Sequence, residues 1–131
     1  MKNRYQVKGK YTVIYLPRAD GSEASTVIDT EDLPKVNKFP GSWHLFEHTE
    51  LDRYYVRGWD QEGNEPLLHR YIMEPKRGQN TSHVNGNGLD NRKKNLCNVP
   101  IGETALDKSL VGKARAAFTD KVVLNILTQK L

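Results

Sequence analysis

A histidine set among asparagines and glycines gives this sequence its clearest capacity for chemistry. The stretch from residue 81 to residue 100 reads TSHVNGNGLDNRKKNLCNVP and places His83 directly before a run of Asn and Gly. A neutral imidazole is a suitable general base for activating a water molecule. The same density of Asn and Gly is typical of a long solvated turn, so the residue types alone leave both interpretations open.

The residues around His83 predict a compact strand-loop-strand-helix unit. Asn and Gly tolerate positive φ, so the sequence NGNG predicts a chain reversal just after the histidine. Asp90 is a suitable N-cap for a single helical turn. In this arrangement His83 is expected to face the start of the following helix, which opens at Gly102 or Glu103. The expected order is strand 81–84, reversal 85–88, helical turn 91–95, strand 96–100 and helix 102–118.

The elements that must position this unit predict an α+β fold. Alternating aromatic and β-branched residues favour an N-terminal antiparallel β-sheet, and Asp-Gly at 20–21 marks a hairpin turn. A chain of 131 residues suits one domain. The expected elements are strands within 5–30, a short helix within 29–41, strands 42–48 and 53–59, and helices within 67–75 and 119–131. We divide the chain into an N-terminal antiparallel β region (1–66), the strand-loop-strand-helix unit with its preceding helix (67–118) and a C-terminal helical tail (119–131).

Positive charge is concentrated around the histidine motif. The chain has a net charge of +4, whereas residues 20–32 contain acids and no base. A basic cluster of this kind neutralises phosphates or forms an ordinary solvated face, and charge alone favours neither. The basic residues of the cluster are Lys76, Arg77, Arg92, Lys93 and Lys94.

Composition excludes several classes of protein. The single Cys97 excludes an internal disulfide and a cysteine-based zinc site. The apolar run YTVIYL is too short to span a bilayer, and no apolar signal segment follows the basic start. The sequence therefore predicts a cytoplasmic protein without a membrane partner.

Three segments, LHRYIM, SHVNGNGLDNRKKNLCNV and GETALDK, resemble in this order the HNH endonucleases, specifically the homing endonucleases of phages and introns. The resemblance includes IDTEDLPKV and YYVRGW and covers about residues 10 to 110. It implies a ββα-metal (HNH-like) nuclease unit over 67–118 that is followed by a C-terminal helix. It also implies a hydrolase that cleaves phosphodiester bonds of double-stranded DNA with one divalent ion, Mg2+ or Mn2+.

The resemblance also implies roles for individual residues. His83 corresponds to the catalytic base, and Asn95 to the central asparagine that ties down the loop and orients the histidine. The basic cluster would then contact DNA phosphates without reading bases. The residues implied to hold the loop are Asn85, Gly86, Asp90 and Asn91.

Two positions depart from the family pattern at the metal ligands. Ser82 stands where the family has an acid before the histidine, and Thr104 stands where it has Asn or His early in the last helix. Hydroxyls are weak ligands for a hard cation. Asp107 lies about one helical turn beyond Thr104 and is the better candidate for a replacement ligand. Glu103 would point about 100° away around the helix.

Other residues receive weaker interpretations. His44 and His48 are four residues apart, but SWHLFEH predicts a strand, so a packed or exposed pair is favoured over a metal site. His69 either approaches DNA or is buried and hydrogen-bonded. The strand RYYVRGW could enter a DNA groove, and alternation assigns its Tyr55 to the core.

Together these features favour a DNA-binding protein of the HNH homing-endonuclease family whose cleavage is lost or reduced. If cleavage is lost, the protein needs no metal cofactor. One alternative is an active divalent-metal-dependent nickase that uses His83 with rebuilt ligands. A second alternative is a protein-interaction module that retains only the fold. The sequence leaves the oligomeric state and the DNA target open.

Overall fold

The computed structural model describes residues 1–48 and 53–110, which form a mixed α+β fold made mostly of strands. This confirms the expected α+β class. The elements in chain order are β1 (Tyr5–Lys8), β2 (Tyr11–Pro17), β3 (Glu23–Asp29), a 3-10 turn (Thr30–Asp32), α1 (Leu33–Asn37), β4 (Ser42–His48), β5 (Arg53–Trp59), α2 (Leu68–Met73), β6 (Gln79–His83), β7 (Asp90–Asn91), a second 3-10 turn (Lys93–Asn95) and β8 (Leu96–Pro100).

The first three strands form a sheet that also receives β7, in the order β1-β2-β3-β7. β1, β2 and β3 pair antiparallel, as predicted, whereas β7 runs parallel to β3. The turn before β3 is closed by Asp20, whose Oδ1 accepts hydrogen bonds from the backbone N and the Oγ of Ser22 at 2.9 and 2.5 Å. Because β7 lies within the histidine loop, its pairing with β3 attaches that loop to the N-terminal sheet.

The first helix is shorter than its sequence pattern predicts. Within 29–41 the chain makes the first 3-10 turn and then the five-residue α1. Pro34 lies in the first turn of α1, where its missing N–H costs no hydrogen bond. Asp29 lies in the capping position but makes no side-chain cap hydrogen bond.

A single hydrophobic cluster holds these elements together and draws on both sides of the 66/67 boundary. Trp43 is fully buried at its centre, and its ring packs against Phe39 and Tyr71 with centroid separations of 4.5 and 5.3 Å. Burying a large apolar side chain contributes about 1.5–3 kcal/mol. The cluster consists of Ile14, Leu16, Ala24, Ile28, Val36, Phe39, Trp43, Val56, Leu68, Ile72, Leu89 and Leu96.

β4 and β5 form a two-stranded antiparallel ribbon. Trp43 and Val56 lie on its inner face and are fully buried. Tyr55 precedes Val56, so it lies on the other face and is only half-buried. The assignment of Tyr55 to the core is therefore wrong, because alternation along β5 starts one residue later than expected.

Up to residue 100 the histidine motif follows the predicted order of strand, reversal, helical turn and strand, with the unpredicted strand β7 before the turn. β6 and β8 pair antiparallel, with Ser82 opposite Cys97 and His83 opposite Leu96. α2 precedes them and ends at Glu74, which adopts φ 45° in the left-handed region.

The helix expected over 102–118 starts later than predicted. Residues 103–107 have no regular structure, and the helical conformation begins at residue 108. Asp107 caps it, since Oδ1 accepts hydrogen bonds from the backbone N and the Oγ of Ser109 at 3.0 and 2.6 Å. Upstream, the Thr104 hydroxyl accepts a hydrogen bond from the backbone N of Leu106 at 3.1 Å, an interaction that competes with helix formation. Residues 111–118 and the predicted tail 119–131 lie outside the described part of the chain.

Among the residues that the structure describes, no helix has the length and apolar character required to cross a bilayer.

Candidate functional site

A cavity of about 500 Å3 lies beside His83. Its walls come from the facing ends of β4 and β5, from α2, from β6 and from the segment after β8. Among the residues that the structure describes, three histidines, two arginines and one carboxylate line it. The lining residues are His48, Arg53, Tyr55, Leu67, His69, Arg70, Asn80, Thr81, Ser82, His83, Gly86, Glu103, Thr104 and Leu106.

His83 ends β6 and is held in one orientation by Asn91. The His83 Nε2 and the Asn91 Oδ1 are 2.9 Å apart and buried. Asn91 Nδ2 donates to Thr26 Oγ1 at 2.8 Å and to Gly88 O at 3.2 Å, so the amide oxygen faces the imidazole as an acceptor. Nε2 therefore carries the proton and Nδ1 carries the lone pair. Among the described residues, none hydrogen-bonds to this Nδ1.

Burial keeps the imidazole of His83 in its neutral, unprotonated form. Desolvation lowers the pKa of His83 below its ordinary value, against the opposing effect of the hydrogen bond that His83 donates to Asn91. A neutral imidazole with a free Nδ1 on a cavity is able to accept a proton from water or from a hydroxyl. The part predicted for His83, a general base, is compatible with this geometry.

A second histidine, His69 on α2, packs against the first. The ring centroids of His69 and His83 are 4.6 Å apart, and Tyr55 lies 5.6 and 6.0 Å from the two rings. Burial lowers the pKa of His69 to about 3, with His83 and Arg70 contributing in the same direction. His69 is buried as one interpretation held, but its Nδ1 has no hydrogen-bond partner among the described residues.

Asn95 fastens the loop that carries the histidine. Its Oδ1 accepts a hydrogen bond from the backbone N of Asn85 at 3.0 Å. Its Nδ2 donates to Asn85 Oδ1 and to Asp90 O, both at 2.9 Å. Gly86 completes the reversal with φ 74°. The structure thus brings together the four predicted loop residues and Asn95, but Asn91 rather than Asn95 contacts the imidazole.

Asp90 and Arg92 form a buried ion pair within this loop. Arg92 donates from Nε and Nη2 to the two carboxylate oxygens of Asp90, each at 2.7 Å, and the two side chains are 12% and 2% exposed. The prediction that Asp90 caps a helical turn is wrong. The second 3-10 turn has Arg92 in its capping position, and no side chain bonds there, because the Asp90 carboxylate is engaged by Arg92 and by Asn85 Nδ2 at 3.0 Å.

The structure does not bring the predicted basic cluster to the cavity. Lys93 Nζ contacts Asp32 Oδ1 at 2.9 Å and Glu31 Oε1 at 3.5 Å, beside the first 3-10 turn. Lys94 lies over the ring of Tyr11, 5.6 Å from its centroid. Lys76 and Arg77 are exposed in the turn before β6. With Arg92 buried in its ion pair, none of these five residues lines the cavity.

The cations that do line the cavity are Arg53 and Arg70. Arg70 Nη1 donates to Asn80 Oδ1 at 3.1 Å. The sequence placed Arg70 and Arg53 only within the segments LHRYIM and RYYVRGW and assigned neither a role of its own. In the sequence Arg53 only begins a strand. That position does not indicate which residues lie next to Arg53 once β5 has paired with β4.

The two hydroxyls at the predicted metal-ligand positions bond to each other. Ser82 Oγ and Thr104 Oγ1 are 3.1 Å apart, and Ser82 Oγ also accepts a hydrogen bond from the backbone N of Ala105 at 3.1 Å. Asp107 caps the last helix and does not line the cavity. The only carboxylate on the cavity wall within the described ranges is that of Glu103. This donor set does not fit a hard divalent cation, which prefers several carboxylate or carbonyl oxygens.

A different acidic group, Asp29, Glu31 and Asp32, brings its ligand atoms within 4.8 Å of one another. The ammonium of Lys93 already contacts two of these three carboxylates, as described above. Burial and the neighbouring acids raise the pKa of Asp29. We interpret the group as an ion-pair network that secures the second 3-10 turn to the N-terminal sheet.

No family model, curated protein or solved structure matches this chain.

Proposed function

We propose that this protein binds double-stranded DNA through an HNH-like unit whose cleavage activity is lost or severely reduced. The observation that carries the proposal is the hydrogen bond between Ser82 and Thr104 beside His83. It joins two hydroxyls at the positions where the family resemblance implies two ligands of a divalent ion. The histidine and its asparagine-rich loop, which the resemblance assigns to the same unit, lie beside this pair of hydroxyls.

The retained geometry supports binding of a phosphate backbone. Arg53 and Arg70 line the cavity, and an arginine guanidinium matches a phosphate with paired N–H donors. The net charge of +4 adds a non-specific attraction for a polyanion. A protein that keeps these groups gains affinity for DNA whether or not it cleaves.

Cleavage is lost or severely reduced because His83 alone supplies too little rate acceleration. A positioned general base contributes about 10²–10⁴-fold to a reaction rate. Hydrolysis of a phosphodiester also needs stabilisation of the negative charge on the phosphorus oxygens and on the leaving oxygen. Ser82 and Thr104 offer neutral hydroxyls for that purpose. Arg53 and Arg70 neutralise part of the charge of a bound phosphate, but the base lacks the divalent ion that would stabilise the leaving oxygen.

Two measurements test the proposal. Fluorescence anisotropy with a duplex of about 20–30 base pairs, at about 50 to 200 mM salt, is expected to show binding that weakens steeply as salt rises. A nicking assay on supercoiled plasmid with Mg2+, Mn2+ or Ni2+ is expected to show no cleavage. Absence of DNA binding contradicts the first part. Robust nicking that His83→Ala abolishes contradicts the second.

The structure offers one observation in favour of an active nickase. Glu103 lines the cavity beside Thr104, so one carboxylate is available to a metal there. In that case nicking is metal-dependent and is lost in both His83→Ala and Glu103→Gln, while Asp107→Asn retains it. Association with DNA that is indifferent to salt would instead favour an interaction module that keeps only the fold.

A further inference from the structure

The face of the β4–β5 ribbon opposite Trp43 and Val56 is an organised surface, of which the proposed function so far uses only Arg53. The register of the ribbon places Ser42 opposite Trp59 and continues in steps of two residues along both strands. Paired residues in such a register lie on the same face of the ribbon. We call the surface they form the ribbon face. Its eight residues are Ser42, His44, Phe46, His48, Arg53, Tyr55, Arg57 and Trp59.

The ribbon face combines aromatic and basic side chains and contains no carboxylate. Glu47 alternates to the inner face of the ribbon, together with the buried Trp43 and Val56. Its cross-strand pairs include His44 with Arg57, Phe46 with Tyr55 and His48 with Arg53. Such a surface suits contact with the backbone of nucleic acid, where guanidinium groups meet phosphates and aromatic rings pack against sugars.

Contacts within the ribbon face, and contacts between it and the neighbouring histidines, hold its arginine and aromatic groups in place. The Arg57 guanidinium lies over the Phe46 ring, 4.2 Å from its centroid. Tyr55 packs against His69 and His83. Trp59 is 54% exposed at the opposite end of the ribbon. A surface that is already ordered loses less conformational entropy when it binds a partner.

The ribbon face continues into the cavity beside His83. His48, Arg53 and Tyr55 belong to both. Arg70 on α2 then extends the row of cations across the cavity. The basic run 92–94 lies elsewhere, with Arg92 and Lys93 already paired to Asp90, Asp32 and Glu31. Two of the three cations of the run 92–94 are therefore already neutralised, whereas no ion pair among the described residues involves Arg53 or Arg57.

We propose that the ribbon face is the surface that docks double-stranded DNA, with Arg53 and Arg57 on phosphates and Trp59 against the edge of a groove. The proposal rests on the proposed function and specifies its interface. Each strand has seven residues and so spans about 23 Å at roughly 3.3 Å per residue. A two-stranded ribbon fits the major groove, which is about 12 Å wide. A duplex docked along the ribbon brings its backbone to the cavity at the ribbon's end, where Arg70 and His83 lie.

The test compares arginine variants with a matched loss of charge elsewhere. Arg57→Gln and Arg53→Gln are each expected to weaken duplex binding and to reduce the slope of log affinity against log salt by about one. Lys8→Gln on the exposed strand β1 removes the same charge outside the ribbon face and is expected to leave the slope as in the wild type. Arg57→Lys keeps the charge and is expected to retain the slope. Circular dichroism confirms that each variant is folded.

A second readout uses the two tryptophans, of which Trp43 is fully buried and Trp59 exposed. Acrylamide quenching of tryptophan fluorescence is expected to fall when duplex DNA binds, and this protection is expected to disappear in Trp59→Phe. Quenching that is unchanged at saturating DNA would overturn the placement of Trp59.

The outcomes separate this interface from the proposed function. If the wild type fails to bind duplex DNA, the proposed function itself fails. If it binds, but Arg53→Gln and Arg57→Gln behave like Lys8→Gln while Lys76→Gln and Arg77→Gln weaken binding, only the ribbon face is rejected. If single-stranded DNA of equal length competes better than the duplex, the proposed occupant is wrong.

Discussion

Ser82 Oγ and Thr104 Oγ1 lie 3.1 Å apart and close the wall of the cavity beside the buried imidazole of His83. The two hydroxyls satisfy each other, and the Ala105 N–H occupies a further lone pair of Ser82. A cation placed there would have to break these hydrogen bonds and would gain no charged ligand from either residue in return.

Restoring charged and amide ligands is expected to restore metal binding. Ser82→Asp supplies a carboxylate oxygen, and Thr104→Asn supplies an amide oxygen, which are the ligand types that Mg2+ and Mn2+ prefer. We expect the double variant to bind Mn2+ measurably in calorimetry, whereas the wild type shows no heat of binding from this site. Lys8→Asp adds a carboxylate to β1 and controls for non-specific attraction. Equal heats for the wild type and the double variant would show that these positions are not the ligand positions.

The three hydrogen bonds of Asn95 predict that it is a stability residue of the loop. Asn95→Ala leaves the Asn85 N–H and the Asp90 carbonyl without partners, and each orphaned buried polar group costs about 1–3 kcal/mol. We expect a loss of about 2–4 kcal/mol in the free energy of unfolding, measured by urea denaturation. Cys97→Ser, at an exposed position two residues away, is expected to change stability by less than about 0.5 kcal/mol. A loss for Asn95→Ala no larger than for Cys97→Ser would contradict the role of Asn95 as the loop's anchor.

Local signals in the sequence were sufficient for the strands and for the reversal at the histidine. Alternation and β-branched residues predicted the hairpin of β2 and β3, and Asn-Gly predicted the turn that Gly86 makes with positive φ. These features depend on residues that are close together in the sequence, so a single amino-acid sequence is enough to predict them.

Features that depend on distant partners could not be predicted in this way. The helix after β8 starts late because the Ser82 hydroxyl, from another strand, bonds to the backbone at Ala105. Arg92 looked like a surface cation, but it pairs with Asp90, which is buried because β7 joins the distant strand β3. Arg53 reaches the cavity only because β5 pairs with β4 at a register that the sequence does not specify.

Burial of the two histidines predicts that the protein loses stability when the pH falls below the ordinary histidine range. The pKa of His69 is lowered to about 3, and that of His83 is lowered in the same direction, mainly by desolvation. The unfolded chain therefore binds protons below about pH 6.5 that the folded protein does not bind, so the free energy of unfolding decreases as pH falls through this range. The slope reaches at most about 1.4 kcal/mol per pH unit for each histidine.

Urea midpoints measured between about pH 7 and pH 5 check this dependence before most carboxylates titrate. His69→Gln removes one of the two groups and is expected to flatten the slope. Tyr55→Phe keeps both imidazoles and their ring contacts and is expected to retain it. A steep slope that survives in His69→Gln unchanged would assign the effect to other groups.

The contact of Gly88 with the backbone of β5 predicts that even one added methyl group disrupts the site. A Cβ at Gly88 would lie 1.9 Å from the carbonyl oxygen of Tyr54 and 2.7 Å from a ring atom of Tyr55. The loop must therefore move away from the ribbon, and overpacking against backbone costs about 3 kcal/mol or more. The Gly88 carbonyl also accepts the hydrogen bond from Asn91, whose Oδ1 holds His83. We expect Gly88→Ala to lower the urea midpoint and to shift the imidazole resonances of His83 in NMR.

Gly63→Ala provides the comparison for this prediction. Gly63 has φ +84° with no atom within 4 Å of an added Cβ, so its substitution costs only the left-handed backbone strain of about 1–2 kcal/mol. The His83 resonances are expected to stay in place in that variant. If Gly88→Ala costs no more than Gly63→Ala and leaves the His83 resonances unmoved, the loop does not depend on its close approach to β5. A larger cost together with a moved imidazole would show that the ribbon sets the position of the histidine as well as lining its cavity.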